Sequence, residues 1–229
     1  MNSKVAILSA GEGKRFRPYS YLHPKSLCTI NGIPIIGHLI ERVKNVGIGE
    51  EDICVIVGDH HENEIRGFVN HYYQKVSCIK QKEGYGTAIG MLSAEEFVED
   101  SLCTFLYGDI YFQDNLEILR SKFPTICVMK RNVREFGEVK RIGPYIEILE
   151  KQNMDREGLV FAGILANMPP IFFDYLSEVR PDEKTGEYYA TDAISEFSKD
   201  FEVEIYELKG FWFDVGRGED LIKARNFGR

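Results

Sequence analysis

No run of about eighteen apolar residues occurs in this chain, which excludes a transmembrane helix. The N-terminus lacks a signal-peptide core: Met1-Asn2-Ser3-Lys4 leads straight into a short apolar run and then glycines. An excess of cations is also missing. The formal net charge is −8, which argues against a nucleic acid or an anionic membrane as partner. A small anionic ligand remains compatible, because a local cluster of cations can act against the global sign. Paired cysteines are lacking too. Cys28, Cys54, Cys78, Cys103 and Cys127 are odd in number and form no C-x-x-C, so reduced thiols in a cytoplasmic protein are expected. Linkers, low-complexity tracts and internal repeats are absent, and no hexapeptide array is present to build a left-handed β-helix.

What remains is an ordinary globular composition: 229 residues, 44% hydrophobic, 12% aromatic and 28% charged. That suffices for one sizeable domain over residues 1–229. Lys4–Ala10 is a short apolar run closed by glycines, which predicts a buried parallel-type strand. Helical spacing of Ile35, Ile36, Leu39, Ile40, Val43 and Val46 predicts a helix over Pro34–Val46, ended by Gly47 and Gly49. Further strands are expected at Asp52–Val57, Val76–Lys80, Leu102–Tyr107 and Thr125–Lys130, with helices at Glu62–Tyr73 and Thr87–Val98. The spacing of the cysteines, near 25 residues, matches one strand-helix repeat. This alternation predicts an α/β fold with a doubly wound, mostly parallel, Rossmann-like central sheet. Beyond residue 130, Phe136–Arg141, Tyr145–Leu149 and Leu159–Ala166 read as antiparallel additions forming a lid over one end of the sheet. Helices at Pro170–Leu176 and Asp192–Phe197, a strand at Glu202–Glu207, the segment Trp212–Val215 and a helix at Glu219–Arg225 complete the reading.

Ligands of such sheets sit beyond the carboxyl ends of the strands. Three segments meet there: Gly11–Pro18, Gln81–Ala88 and Gly108-Asp109. The first, Gly11-Glu12-Gly13-Lys14-Arg15-Phe16-Arg17-Pro18, combines glycines with three cations in four residues. Glycines let backbone N–H groups approach phosphate oxygens, and the cations add charge. The loop is neither a Walker A sequence nor a complete dinucleotide fingerprint. By itself it is equally compatible with a tight turn carrying solvated cations.

The same loop, followed by His23-Pro24-Lys25-Ser26-Leu27, resembles the signature of the sugar-1-phosphate nucleotidyltransferases, G-x-G-[TS]-R-[LM]-x-P and then K-P-K-x-L. The resemblance runs through essentially the whole chain. Gln81-Lys82-Glu83-Gly84-Tyr85-Gly86-Thr87-Ala88 is similar to the family's nucleobase loop, and Tyr107-Gly108-Asp109 to its metal-binding Gly-Asp. Phe136-Gly137-Glu138-Val139, Glu150-Lys151, Ala162-Gly163-Ile164, Glu187-Tyr188-Tyr189-Ala190-Thr191-Asp192 and Trp212-Phe213-Asp214-Val215-Gly216 match further motifs in the family's order. Lys14 stands where a small hydroxyl residue is usual, His23 replaces Lys, Ser26 replaces Pro or Met, and Gln152 replaces Pro.

The resemblance implies transfer of a nucleotide from a nucleoside triphosphate to a sugar 1-phosphate, with pyrophosphate leaving in line. Both reactants are anions, so the work is charge neutralisation and positioning. Arg15 and Lys25 are implied as catalytic, with Lys14 and Arg17 as further cations. Ala10, Gly11, Gly13, Lys14, Gln81, Gly86 and Thr87 are implied to bind the nucleotide, and Asp109 and Asp214 to hold Mg²⁺. Gly137, Glu150, Lys151, Gly163 and Thr191 are implied to bind the sugar phosphate in a small antiparallel lobe. The nucleotide half is expected at 1–130 and the sugar-phosphate half at 131–229. UTP or dTTP with a hexose 1-phosphate is favoured. A guanylyltransferase acting on mannose 1-phosphate and a non-catalytic regulatory relative are the alternatives. The expected partners are the two substrates, with no nucleic acid or membrane, and a homo-oligomer stays open.

Overall fold

A computed structural model describes residues 3–150 and 154–227. In chain order the strand β1 (Ser3–Ser9) is followed by a two-strand hairpin, β2 (Thr29–Ile30) and β3 (Ile33–Pro34), and the helix α1 (Ile35–Asn45). Then come β4 (Ile53–Val57), α2 (Glu62–Tyr72), β5 (Ser77–Lys80), α3 (Thr87–Leu92), α4 (Glu95–Val98), β6 (Leu102–Tyr107) and β7 (Ile110–Phe112). The second half comprises β8 (Thr125–Asn132), β9 (Glu138–Ile142), β10 (Tyr145–Leu149), β11 (Glu157–Met168), α5 (Phe172–Glu178), α6 (Ala190–Asp200), β12 (Glu204–Glu207), β13 (Trp212–Asp214) and α7 (Gly218–Asn226).

Among the described residues the main sheet has nine strands. β5, β4, β1 and β6 pair in parallel, in that order. β11 then joins β6 antiparallel, β8 joins β11 antiparallel, and β12 lies parallel beside β8. Only β11 therefore runs against the common direction along this path. β4 is buried at every position, which is why its sequence is continuously apolar rather than alternating. Alternate residues feed two cores. Val5, Ile7, Val55, Val57 and Leu106 pack with the apolar stripes of α1 and α2. Ala6, Cys54, Ile56, Cys103 and Phe105 pack with α3, α5 and α6. Helices cover both faces, so the sheet is doubly wound as the alternation predicts. Each fully buried Ile, Leu or Phe contributes roughly 1.5–3 kcal/mol.

Three departures from the sequence reading have local causes. The strands after residue 130 are antiparallel additions as expected, but they do not form a lid over one end of the sheet. β9 pairs with the N-terminal part of β11, and β10 pairs with β9, so both extend the main sheet. The long helix expected over Thr87–Val98 is two helices, because the Ser93 hydroxyl donates to Ile89 O at 2.7 Å and accepts Lys82 N at 2.8 Å. Such back-bonding competes with the helical ladder. The short strand β7, opposite β13, was not foreseen, since three residues are too few to show a period. Cys54, Cys78, Cys103 and Cys127 do mark strands, whereas Cys28 lies in the turn before β2; all five are free.

β10 lies at the edge of the sheet, and α6 covers it. Ser198 Oγ accepts Ile146 N at 2.9 Å, and Ser195 Oγ accepts Ile148 N at 3.1 Å. These serines take backbone donors that an edge strand would otherwise expose. Among the described residues no helix is long and apolar enough to cross a membrane.

Candidate active site

The glycine-cation loop leaves the carboxyl end of β1 through a gap made by two other glycines. A Cβ on Gly58, just after β4, would stand 2.4 Å from Ala10 O, and one on Gly108, just after β6, 2.6 Å from Leu8 O. Neither position tolerates a side chain, so the loop is pinched between the ends of the neighbouring strands. Gly13 sits at φ +66° and opens a short turn over Lys14–Phe16. Its carbonyl accepts Phe16 N at 2.8 Å and the Ser20 hydroxyl at 2.7 Å. Phe16 is buried beneath the turn and anchors it, leaving Arg15 and Lys14 on the outer side.

Two aspartates more than a hundred residues apart in sequence meet beside this loop. β13 runs antiparallel to β7 with Asp214 opposite Ile110, and Val215 N donates to Asp109 O at 2.9 Å. The Lys25 ammonium, on the turn Lys25–Leu27, lies 2.5 Å from Asp109 Oδ2. A Cβ on Gly216 would lie 3.4 Å from Arg15 Nη2 and 3.5 Å from Asp214 Oδ2, so the guanidinium and that carboxylate flank the same glycine. Arg15, Lys25, Asp109 and Asp214 therefore form one cluster at the carboxyl end of the sheet. Burial and the Asp109 carboxylate push Asp214 up to about 7, against the pull of Lys25 and Arg15. Burial pulls the Lys25 ammonium down, but Asp109 and then Asp214 outweigh it and its pKa is raised. The Lys25 turn is further tied to β1 by a 2.6 Å hydrogen bond between the Ser26 and Ser9 hydroxyls.

Lys14 and Arg17 flank Arg15 in the loop and make contacts of their own. Lys14 Nζ stands 4.8 Å from the centre of the Tyr85 ring, and both cations approach Glu12, at 3.5 and 3.7 Å. The Lys14–Tyr85 contact spans from the glycine-cation loop to the segment 81–88. In that segment Gln81 donates its amide to Gly84 O at 3.1 Å, which draws the loop back over the end of β5. Gly86 adopts φ +133°, and its close neighbour is the backbone of Tyr188: Ala88 N donates to Tyr188 O at 3.0 Å, and Tyr188 N to Tyr85 O at 2.8 Å. Thr87 Oγ1 accepts Ala190 N at 2.9 Å and so caps α6.

A second group of predicted residues converges next to the first. The Thr191 hydroxyl donates to Glu150 Oε1 at 2.9 Å, and a Cβ on Gly137 would lie 3.3 Å from that same oxygen. Gly163, at φ +75°, faces the Tyr107 ring, which a Cβ would meet at 3.1 Å. Tyr107 links the two groups. Its hydroxyl shares a hydrogen bond with Thr87; burial drives its pKa up, and Glu150 and Asp109 add to that. Sequence reasoning gave Tyr107 no role; the available signal was a phenol closing an apolar strand immediately before Gly-Asp. It also gave none to Ser20, whose hydroxyl donates to Gly13 O, or to His61, whose Nε2 lies 2.8 Å from Ser20 O. Lys151 lies outside the described residues.

Comparison with known proteins places the whole chain in one family. The model of the family described as nucleotidyl transferase matches residues 4–229. The chain is 34% identical over 224 residues to the bifunctional protein GlmU of Methanocaldococcus jannaschii, covering 96% of this chain and 53% of that protein. It is 30% identical to a bifunctional sugar-1-phosphate nucleotidylyltransferase/acetyltransferase of Sulfurisphaera tokodaii, covering 98% of this chain and 55% of that one. The chain thus spans about half the length of these curated relatives. A Bacillus anthracis protein assigned as a glucose-1-phosphate thymidylyltransferase, solved with sucrose, superposes with a TM-score of 0.84 at 25% identity, covering 100% of this chain and 98% of that one. With the match running from β1 past the last described helix, the chain belongs to the nucleotidyl transferase family.

Proposed function

We propose that the chain transfers a nucleotidyl group from a nucleoside triphosphate, UTP or dTTP by preference, to a hexose 1-phosphate. A phosphate oxygen of the sugar 1-phosphate forms the new bond to the α-phosphorus. The bond from that phosphorus to the bridging oxygen breaks, and pyrophosphate leaves with the electron pair. No proton needs to move between the reacting atoms. The single observation that carries this reading is the cluster of Arg15, Lys25, Asp109 and Asp214 beside the glycine loop.

In this reading Arg15 meets the developing charge on the pyrophosphate, with a planar fork suited to phosphate oxygens. Lys25 leaves Asp109 to stabilise charge at the α-phosphate. The backbone of Ala10 and Gly11 helps read the base, and Gly13 with Lys14 lies toward the phosphates. Gln81, Gly86 and Thr87 border the base. Gly137, Glu150, Lys151, Gly163 and Thr191 receive the sugar phosphate, with Glu150 accepting from sugar hydroxyls and Gly137 leaving room for the ring. The division into 1–130 for the nucleotide and 131–229 for the sugar phosphate is crossed by Asp214.

Asp109 and Asp214 fit Mg²⁺. Burial and mutual repulsion hold one carboxylate up to about 7, which a divalent cation between them would relieve. Two carboxylates are too few for an octahedral shell, and among the described residues no third His, Cys, Asp or Glu joins them. That donor set suits a cation whose remaining ligands are substrate phosphates and water. When bound it would neutralise phosphate charge. A cytoplasmic setting, where free thiols persist, belongs to the same proposal.

The test is a matrix of the common nucleoside triphosphates against several sugar 1-phosphates, scored by pyrophosphate yield with and without Mg²⁺. Mg²⁺-dependent release with a pyrimidine triphosphate and a hexose 1-phosphate is expected. No release from any pair would overturn the reading.

A further inference from the structure

Two buried polar side chains have no part in the chemistry above. Ser20 is 5% exposed and His61 is 8% exposed. His61 Nε2 lies 2.8 Å from the Ser20 carbonyl oxygen. A carbonyl only accepts, so that nitrogen must carry the proton. The other ring nitrogen, Nδ1, has no hydrogen-bond partner and stands 3.6 Å from Glu64 Oε1. The Ser20 hydroxyl in turn donates to Gly13 O at 2.7 Å. A chain of two hydrogen bonds thus runs from the turn after β4 to the residue that starts the phosphate turn.

The packing follows the same line. A Cβ on Gly13 would meet Ser20 Cβ at 3.0 Å and Lys25 Cγ at 3.4 Å, so Ser20 and the Lys25 stem both press against Gly13. The turn that carries His61 touches the loop twice more, through Gly58 against Ala10 and through His60 Nε2, 3.8 Å from Glu12 Oε2. A polar side chain is costly to bury, and an apolar residue would fill the space under the loop without that cost. The hydrogen bonds give what apolar packing cannot, a fixed direction for the Gly13 carbonyl and hence for the N–H groups that follow it.

We infer that Ser20 and His61 are positioning residues that set the orientation of the phosphate loop, and with it the placement of Arg15 and Lys25. This rests on the reading that the loop binds the triphosphate. The two act in series, so removing either loosens the same carbonyl.

The experiment compares Ser20→Ala and Ser20→Thr, and His61→Phe and His61→Gln. Threonine keeps the hydroxyl, and the glutamine amide reaches about as far as Nε2. Equilibrium binding of UTP and dTTP is measured first, then KM for each substrate and kcat, with thermal unfolding as a check on folding. Ser20→Ala and His61→Phe should weaken triphosphate binding by about tenfold, the size of one lost hydrogen bond, and lower kcat. KM for the sugar 1-phosphate should stay unchanged. Ser20→Thr and His61→Gln should restore most of the loss, and the double variant Ser20→Ala/His61→Phe should be little worse than either single one. Ser20→Ala removes one oxygen atom and so keeps the test open if His61→Phe does not fold. Triphosphate affinity equal to that of the unaltered chain in folded variants would overturn the positioning role. So would a fall in kcat alone in proportion to the folded fraction. Failure of the unaltered chain to bind any triphosphate would instead overturn the functional reading, and the positioning roles with it.

Discussion

Gly86→Ala is the substitution whose consequence the geometry sets most tightly. At φ +133° and ψ 170° the residue occupies a region open essentially only to glycine, which costs an alanine about 1–3 kcal/mol. Space is the second cost. The new Cβ would stand 2.3 Å from Tyr188 O and 2.5 Å from Tyr188 N. Both are backbone atoms and cannot rotate aside. Relief requires segments 85–88 and 187–190 to part. That breaks the hydrogen bonds from Ala88 N to Tyr188 O and from Tyr188 N to Tyr85 O, at about 1 kcal/mol each. The total is about 3–5 kcal/mol, below the about 5–15 kcal/mol that holds a typical domain together. The chain should therefore fold with the base-side loop displaced. Scanning calorimetry should show a midpoint lowered by roughly 6–20 °C, and triphosphate binding should weaken by about tenfold or more. Gly186→Ala is the control. It has φ +70° and nothing within 4 Å of its Cβ among the described residues, so it should cost only about 1 kcal/mol. A Gly86→Ala protein with unchanged midpoint and unchanged triphosphate affinity would refute this reasoning.

Three further outcomes are expected. Asp109→Asn should reduce turnover at least about a hundredfold while circular dichroism shows an intact fold; near-normal turnover would contradict the proposed Mg²⁺ role of Asp109. Arg15→Ala should slow nucleotide-sugar synthesis and its pyrophosphorolytic reversal alike, each by about a hundredfold, in initial-rate assays run from both sides. Glu138→Gln should flatten the acid limb of stability. The hydrogen-bonded Arg156 guanidinium holds Glu138 below the usual carboxylate range, with Lys140 assisting and burial opposing. A depressed folded pKa gives stability that is present above the unfolded value near about 4.3. It is lost as pH falls through the folded value, so the difference between wild type and variant should shrink across that acid range in pH-dependent unfolding curves.

The sheet was legible because its signal is local. Continuous apolar runs such as Ile53–Val57 and Leu102–Tyr107 mark strands buried on both faces, and the helical stripe ending near Val46 marks α1 to within a residue. The candidate site was readable as an expectation for a different reason: the glycine-cation loop, the Gly-Asp and the Trp-x-Asp-Val-Gly are short strings whose residue types suggest a role without any knowledge of the fold, and the structure brings Arg15, Lys25, Asp109 and Asp214 together. What the sequence hid depends on contacts between distant segments. The β7–β13 ribbon has too few residues to show a period. The break at Ser93 follows from where its hydroxyl points. Ser20 and His61 look like ordinary polar loop residues until the 41-residue separation between them closes to 2.8 Å. The contacts of Lys14, an aromatic ring and Glu12, are of the same kind, since Tyr85 is 71 residues away in sequence.

The ribbon that joins residue 110 to residue 214 has a consequence for synthesis on the ribosome. The parallel strands β1, β4, β5 and β6 are complete once residue 107 has emerged, and can begin to associate. The carboxylate partner of Asp109 is translated more than a hundred residues later. A nascent chain in between carries the cations and the glycine loop but only one of the two acidic groups. The acidic pair is therefore completed in one step, when residue 214 emerges, rather than growing with chain length.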